Sequence, residues 1–299
     1  MKMKKISVIA IGCALLMTAA TACSTPASGS ADDSPNTVQS QGTELGGITV
    51  ISREEGSGTR SAFVELFELH DDINPDLTTI SAEITNNTAV MMTSVAGDAG
   101  SIGYISLGSL NDTVKALKID GVDATTANVS DGSYTISRPF NIAVKGELSP
   151  SAQDFLNFIM SAEGQDVIEA SGYIRVSDSG SYRGAKPTEK IVVAGSSSVT
   201  PAMEALSEAY SAIQPEADIE IQQSDSSTGM NSTIDGICDI GMASRELKDS
   251  EIEKGLSPTR IAMDGIAVIV NKGNAADGLS AEQVKAIFSG EISDWSALQ

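Results

Sequence analysis

The sequence predicts an α/β protein of two lobes, each built on an open, mostly parallel sheet with helices on its faces. Three observations carry this. The 299-residue chain is long enough for two ordinary cores, since domains run to roughly 100–200 residues. A hydrophobic fraction of 41% and a mean hydropathy near zero fit a globular body rather than a disordered or multispanning one. Finally, a short β-branched run, a Ser/Thr/Gly-rich turn and an amphipathic helix recur as ITVIS-REEGSGT-RSAFVELF, KIVVA-GSSSVT-PAMEALSEAYSAI and ADIEIQ-QSDSSTG-MNSTIDGI. Strands alternating with helices in this way argue for parallel sheets.

The N-terminus reads as a targeting segment, because Lys2, Lys4 and Lys5 precede the apolar run ISVIAIGCALLM and then small residues. AATAC, Ala19 to Cys23, resembles a bacterial lipobox, which implies cleavage after residue 22 and lipidation of Cys23. Residues 23–45 are rich in Ser, Thr, Pro and Gly, as a flexible tether would be. Loss of Met1–Ala22, with three lysines and no acid, takes the formal charge from −21 to −24. Cys13 leaves with it, so Cys238 is the one cysteine of the folded body, expected as a small core residue, and no disulfide framework is available.

Helix signals follow along the chain. Ser149-Pro150 opens a helix carrying Phe155, Phe158 and Ile159. Thr200 and Pro201 occupy expected N-cap and N1 positions, ahead of one helical face formed by Met203, Leu206, Tyr210 and Ile213. Ser280 and Gln283 form a capping-box pattern before Val284, Ile287 and Phe288. SIGYISL, PFNIAV and GIAVIV read as strands, and residues 177–190 as a linker without periodicity.

The Ser/Gly turns explain what the chain could bind. A helix N-terminus leaves N–H groups unpartnered and carries partial positive charge, glycine lets the backbone approach closely, and Ser or Thr hydroxyls add neutral donors. Three such turns, one flanked by arginine, point to an anion. The strong negative charge argues against nucleic acid as a partner. GSGTR lacks the lysine of a Walker loop, and GSSSV is not GxSxG. The single histidine, His70, lies in the polar stretch ELHDDINPD, so neither a Ser-His-Asp triad nor a transition-metal site is expected; Asp71 and Asp72 read as solvated turn charges rather than calcium ligands. No cofactor, no metal and no catalytic residue is expected.

Four motifs together carry a family resemblance: SREEGSGTR at Ser52–Arg60, GSSSVTP at Gly195–Pro201, QSDSSTG at Gln223–Gly229 and DIGMASREL at Asp239–Leu247. They resemble the phosphate-binding lipoprotein of the bacterial high-affinity phosphate ABC transporter, over nearly everything from Gly46 to Leu298. The resemblance implies a two-lobed periplasmic-binding-protein-like (type II) α/β fold that closes on inorganic phosphate and delivers it to ABC permease subunits. It also implies a place on the outer face of the cytoplasmic membrane, with contact to the membrane through the lipid anchor alone. By motif, Arg53 would pair the phosphate and be held by Glu55, with Ser57, Gly58 and Thr59 donating from a helix start. Ser197, Ser198, Thr200, Ser226 and Ser244 would complete the ring. Many members place an aspartate directly after the serine matched by Ser244, and that carboxylate accepts the phosphate's proton. Here Arg245 stands there as a supporting residue, and Glu246 or Asp225 is the expected substitute.

The motif order is inverted relative to that family. The end of the chain, EQVKAIFSGEISDWSALQ, continues naturally into GGITVISREEGSGTR near its start, which implies a circular permutant with permuted chain order. One lobe would then run over residues 134–272, including linker 177–190, and the other would be assembled from 46–133 and 273–299. A fusion of two incomplete relatives is the competing account, and the halves complement rather than duplicate each other. Another tetrahedral oxyanion such as sulfate or molybdate is the nearest functional alternative. A secreted phosphatase would need a metal cluster or an activated nucleophile, and a purely structural surface protein would not need Arg53 beside a GSG turn.

Overall fold

The three strand-turn-helix units form as expected, within a computed structural model that describes residues 46–177, 179–184 and 189–298. The signal segment, the tether and Cys23 lie outside the described residues. The first part of the chain gives β1 (Thr49–Arg53), α1 (Gly58–Leu66), β2 (Glu83–Thr85), α2 (Thr88–Gly97), β3 (Ser101–Ser106), β4 (Val114–Ala116), β5 (Lys118–Ile119) and α3 (Thr126–Ser130). The middle gives β6 (Ser137–Lys145), α4 (Pro150–Met160), α5 (Ala162–Ala170), β7 (Lys190–Ser196), α6 (Thr200–Ile213), β8 (Asp218–Ser224), α7 (Ser226–Ile234) and β9 (Ile240–Ala243). The last part gives α8 (Asp249–Glu253), β10 (Leu256–Asn271), β11 (Gly278–Leu279) and α9 (Ala281–Ser289).

The main sheet runs β2-β1-β3-β10-β6-β9-β7-β8, with β4 also on β10. Its flanks are parallel, as β1 pairs with β2 and β3, and β7 with β8 and β9. Its centre is not. β10 is antiparallel to β3, β4 and β6, and β6 to β9, so the sheet is mixed rather than mostly parallel. The difference arises from β10, a strand of 16 residues that serves both halves: Leu256 to Gly265 pair with β6, and Ile266 onward with β3 and β4.

Two cores flank this crossing. Phe140, Phe155, Phe158, Met203, Leu206 and Tyr210 fill the one beneath β6 and β7. Val50, Phe63, Tyr104, Val268, Phe288 and Trp295 fill the one beneath β1 and β3. Tyr134 and Ile136 also belong to the second core, and β10 changes neighbours at Gly265/Ile266. The strands thus change partners near Ser137 and Gly265. The GIAVIV run is apolar on both faces because successive residues alternate between packing groups: Ile266, Val268 and Val270 enter one, Ala267 and Ile269 another.

Local signals hold with two changes. Ser149 caps α4, and the Ser280/Gln283 box closes reciprocally on α9. On α6 the cap is Val199, with Thr200 inside the first turn donating its hydroxyl proton to Ser196 O at 3.1 Å. Ile213, at the end of that helix, is half exposed while Met203, Leu206 and Tyr210 are buried. Cys238 is buried, with Thr233 Oγ1 at 3.4 Å from its sulfur. The described part of the linker has neither helix nor strand, and Tyr182 anchors it by donating to Asp154 Oδ2 at 2.5 Å.

At the crossing, Arg138 on β6 stands opposite Asp264 on β10 with Nη2–Oδ2 at 3.2 Å, and both are fully buried. Burial pushes the Asp264 carboxyl up and lowers the Arg138 guanidinium, each against the attraction of the other. Breaking a buried pair typically costs about 3–5 kcal/mol. Arg138→Met is expected to destabilise by that order in urea unfolding. Asp264 can take up a proton when its partner is gone, and a raised carboxyl loses stability as pH rises, so the cost should be larger at pH 8 than at pH 5.

The two ends of the described chain meet. Ile48 N donates to Ser293 O at 2.8 Å, Trp295 N to Gly46 O at 3.2 Å, and Trp295 Nε1 to Gly100 O at 2.9 Å. Joining residue 299 to Gly46 and reopening the chain near Gly184 should therefore give a protein that folds, with an unchanged far-ultraviolet circular dichroism spectrum. Aggregation of the rejoined chain would contradict this.

Candidate functional site: a buried ring of hydroxyls around Arg53

The turns that follow β1, β7 and β8 come together where the halves meet, as the bonds of Arg53 to Ser197, Thr59 to Ser198 and Ser227 N to Gly56 O show. β1 ends at Arg53, whose backbone N–H donates to Tyr104 Oη at 3.2 Å, while Ser52 Oγ shares a 2.8 Å bond with the same oxygen. Tyr104 stacks on Phe63 of α1 at 4.0 Å, which fixes the strand end against its own helix. Arg53 is only 2% exposed.

Glu54 holds the Arg53 guanidinium. Nε donates to Oε2 at 2.8 Å and Nη2 to Oε1 at 2.7 Å, a two-point clamp. Glu55, expected in that role, is exposed: the turn that follows β1 carries its side chain to the cleft wall. The same Nη2 donates across the cleft to Ser197 Oγ at 3.0 Å. Arg60 takes no part in the ring but braces it, donating from Nη1 to Arg53 O at 2.8 Å while Nε is held by Asp76 at 2.7 Å.

Ser57 caps α1 by accepting from Arg60 N, leaving the N–H groups of Gly58 and Thr59 without intrahelical acceptors. A Cβ on Gly58 would run into Ser226 Oγ and Ser244 Oγ, so the turn needs glycine for close approach. From the other half come Ser196, Ser197 and Ser198, then Ser226 at the start of α7 and Ser244 after β9. Ser196 Oγ donates to Ser244 Oγ at 2.9 Å, and Ser244 N to Ser226 Oγ at 3.1 Å. Thr59 Oγ1 and Ser198 Oγ share a bond of 2.7 Å, and Ser227 N donates to Gly56 O at 3.2 Å. Arg53, Ser57, Gly58, Thr59, Ser197, Ser198, Ser226 and Ser244 are thus brought together and buried. Thr200 is buried beside them, with its hydroxyl proton given to Ser196 O at the end of β7.

The two substitute carboxylates turn elsewhere. Asp225 caps α7, accepting from Thr228 N at 2.9 Å and Thr228 Oγ1 at 2.6 Å. Glu246 is exposed and accepts from Asn141 and Arg260. Arg245 is buried and points out of the ring, with Nη2 2.8 Å from Glu251 Oε1 and 3.3 Å from Ser227 Oγ. The Glu251 carboxyl is held below its ordinary value, because Arg245 and Lys248 N–H outweigh its burial.

Sequence reasoning missed four contributors. Glu54 is the neighbour of Glu55, the residue to which the family resemblance points. Ser196 and Thr88, whose hydroxyl lies 3.3 Å from Ser198 Oγ, sit at turns with ordinary capping signals. Arg138 reaches Ser244 O at 3.1 Å from a strand where nothing marked it. Beside the ring a cavity of about 510 Å³ is lined by Glu55, Ser57, His70, Asp76, Ser227 and Lys248, so His70 is on an outer wall. Among the described residues no His, Cys, Asp and Glu group is placed to hold a metal.

Comparison with known proteins shows the family. The model of the PBP superfamily domain matches residues 5–163 and 180–299. The phosphate-binding protein PstS 2 of Streptococcus agalactiae is 51% identical over 264 residues, 87% of this chain and 90% of that one. PstS 2 of Streptococcus pneumoniae is 43% identical over 85% of this chain and 88% of its own. The crystal structure of a phosphate-binding protein of a phosphate ABC transporter from S. pneumoniae superimposes with a TM-score of 0.68, at 43% identity, covering 85% of this chain and 100% of that one. PstS of Bacillus subtilis matches over 45% of each chain at 35% identity. With a superfamily model spanning both halves and relatives of this identity along nearly their whole length, the chain belongs to the PstS family of phosphate-binding proteins within the PBP superfamily.

Proposed function

We propose that this protein binds inorganic phosphate outside the cytoplasm and hands it to the permease of an ABC transporter. The observation that carries the reading is the convergence of one buried guanidinium, Arg53, with the starts of α1 and α7 and the serine-rich β7–α6 turn in a ring of hydroxyls. Such a ring offers many short donors and little net charge, which suits a small anion held by hydrogen bonds. It is contributed from both sides of the β6/β10 crossing, so ligand contacts would favour the closed arrangement of two lobes. Its hydroxyls are bonded to one another and not to a histidine, which supports binding rather than catalysis. The relatives' names support phosphate as the anion. Sulfate is the second reading, favoured by the outward turn of Asp225 and Glu246.

A permuted chain order is part of the proposal. It is supported by the meeting of the chain ends and by the half-length match to the B. subtilis protein. So is a lipid anchor on Cys23, supported by AATAC and the tether after it. Cys23→Ala should release the protein from membranes or leave its signal uncleaved. An unmodified Cys23 on mature protein, seen by mass spectrometry, would refute the anchor.

Arg53→Ala is expected to weaken phosphate binding at least tenfold in calorimetric titration, because truncating one partner of a buried charge pair costs about 2–5 kcal/mol and leaves Glu54 unpaired. Ser57→Ala removes one bond to a charged ligand, about 1.5–3 kcal/mol, so it should weaken binding less, and loss of a helix cap worth about 1 kcal/mol should lower its melting temperature modestly. Unchanged phosphate affinity in Arg53→Ala would refute the assignment of the ring.

A further inference from the structure

A phosphate ion near neutral pH keeps at least one O–H, so a buried site for it needs a proton acceptor as well as donors. The carboxylates around the ring are engaged elsewhere: Glu54 with Arg53, Asp264 with Arg138, Asp225 with Thr228 and Glu246 with Arg260. Hydroxyls are the remaining candidates, since each gives one proton and offers two lone pairs.

Three of them form a cluster across the cleft. Ser198 Oγ lies 2.7 Å from Thr59 Oγ1 and 3.3 Å from Thr88 Oγ1, and all three residues are buried. Thr88 is set there by the first turn of α2, where Asn87 caps the helix by accepting from Val90 N at 2.9 Å. The proton count is then constrained. Two contacts among three hydroxyls consume two of their three protons, whichever way each bond runs. One proton is left for a ligand, so an oxyanion that touches both threonines must meet at least one of them through a lone pair. An ion carrying an O–H satisfies that lone pair. A fully ionised one sets oxygen against oxygen.

We infer that Thr88 is a ligand-binding residue of this ring, and that the Thr59–Ser198–Thr88 cluster is the acceptor that makes it prefer a protonated oxyanion, phosphate, to sulfate. The inference rests on the phosphate reading above. It assigns selectivity to neutral groups whose number of protons is one short, where a carboxylate would act by charge.

The test is calorimetric titration of the full folded body with phosphate and with sulfate at pH 7, for the unaltered protein and for Thr88→Val, Ser198→Ala and Glu54→Gln. Valine keeps the shape of Thr88 and removes its hydroxyl, leaving Thr59 and Ser198 with one mutual bond and no forced acceptor. The phosphate-over-sulfate ratio is expected to fall about tenfold in Thr88→Val, mainly through weaker phosphate binding, one hydrogen bond being worth about that factor. Ser198→Ala, which frees both threonine protons, should lower the ratio as well and keeps the test open if the valine variant folds poorly. Glu54→Gln should weaken both anions with the ratio kept. A ratio unchanged in Thr88→Val and Ser198→Ala, or one that collapses only in Glu54→Gln, would overturn the inference while leaving phosphate binding intact. Failure of the unaltered protein to bind phosphate would instead remove the reading on which it rests.

Discussion

A guanidinium buried to 98% of its surface at the end of an edge-side strand is costly unless its donors are met, and the geometry around Arg53 follows from meeting them. Glu54 takes two donors within one loop and Ser197 takes another from the opposite half. The first contact is local and forms with the β1–α1 turn. The second exists only when the halves are together, so the same side chain that supplies charge also registers closure. Thr59 with Ser198 and Gly56 with Ser227 repeat that pattern using neutral groups. Everything that positions β1 therefore bears on the ring: the Tyr104 hydroxyl under its last residues, the Phe63 stack behind Tyr104, and the Arg60 bond to the Arg53 carbonyl.

The opposite wall is held by two further arginines, neither aimed at the ring. Arg138 sits where β10 changes neighbours and donates to the carbonyl of Ser244; its partner Asp264 accepts from Gly108 N in the other half. The strand crossing and the serine ring are thus one hydrogen-bonded unit. Arg245 leans outward onto Glu251 and Ser227, bracing the residue next to Ser226. Two buried arginine–carboxylate pairs beside the ring stiffen it and add no net charge to it.

Much of this was legible because the signals were local. Caps at Ser149 and Ser280, the period of Phe155, Phe158 and Ile159, and the three Ser/Gly turns are written within a few residues each, and they form as read. What failed was pairing between distant segments. A mostly parallel sheet was the expectation, because each strand-helix unit suggests a parallel neighbour, yet β6 and β10 are antiparallel partners separated by a hundred residues of other structure. The same limit hides Arg138. Within the ring, the turn after β1 decided between Glu54 and Glu55, a choice of one residue that alternation along a strand cannot settle once the strand has ended.

An acidic chain that gathers an anion must do so at short range. A formal charge of −21 repels anions from afar, but screening confines that repulsion to about 8–10 Å in physiological salt. Inside that distance the dipoles of α1, α2 and α7, each starting at the ring, act at contact and in a poorly screened interior. Because Arg53, Arg138 and Arg245 are each paired with a carboxylate, oriented N–H and O–H groups add to what the Arg53 guanidinium supplies at the ring. Those groups come from both sides of the β6/β10 crossing, so the attraction they sum to at the ring depends on the two halves lying together.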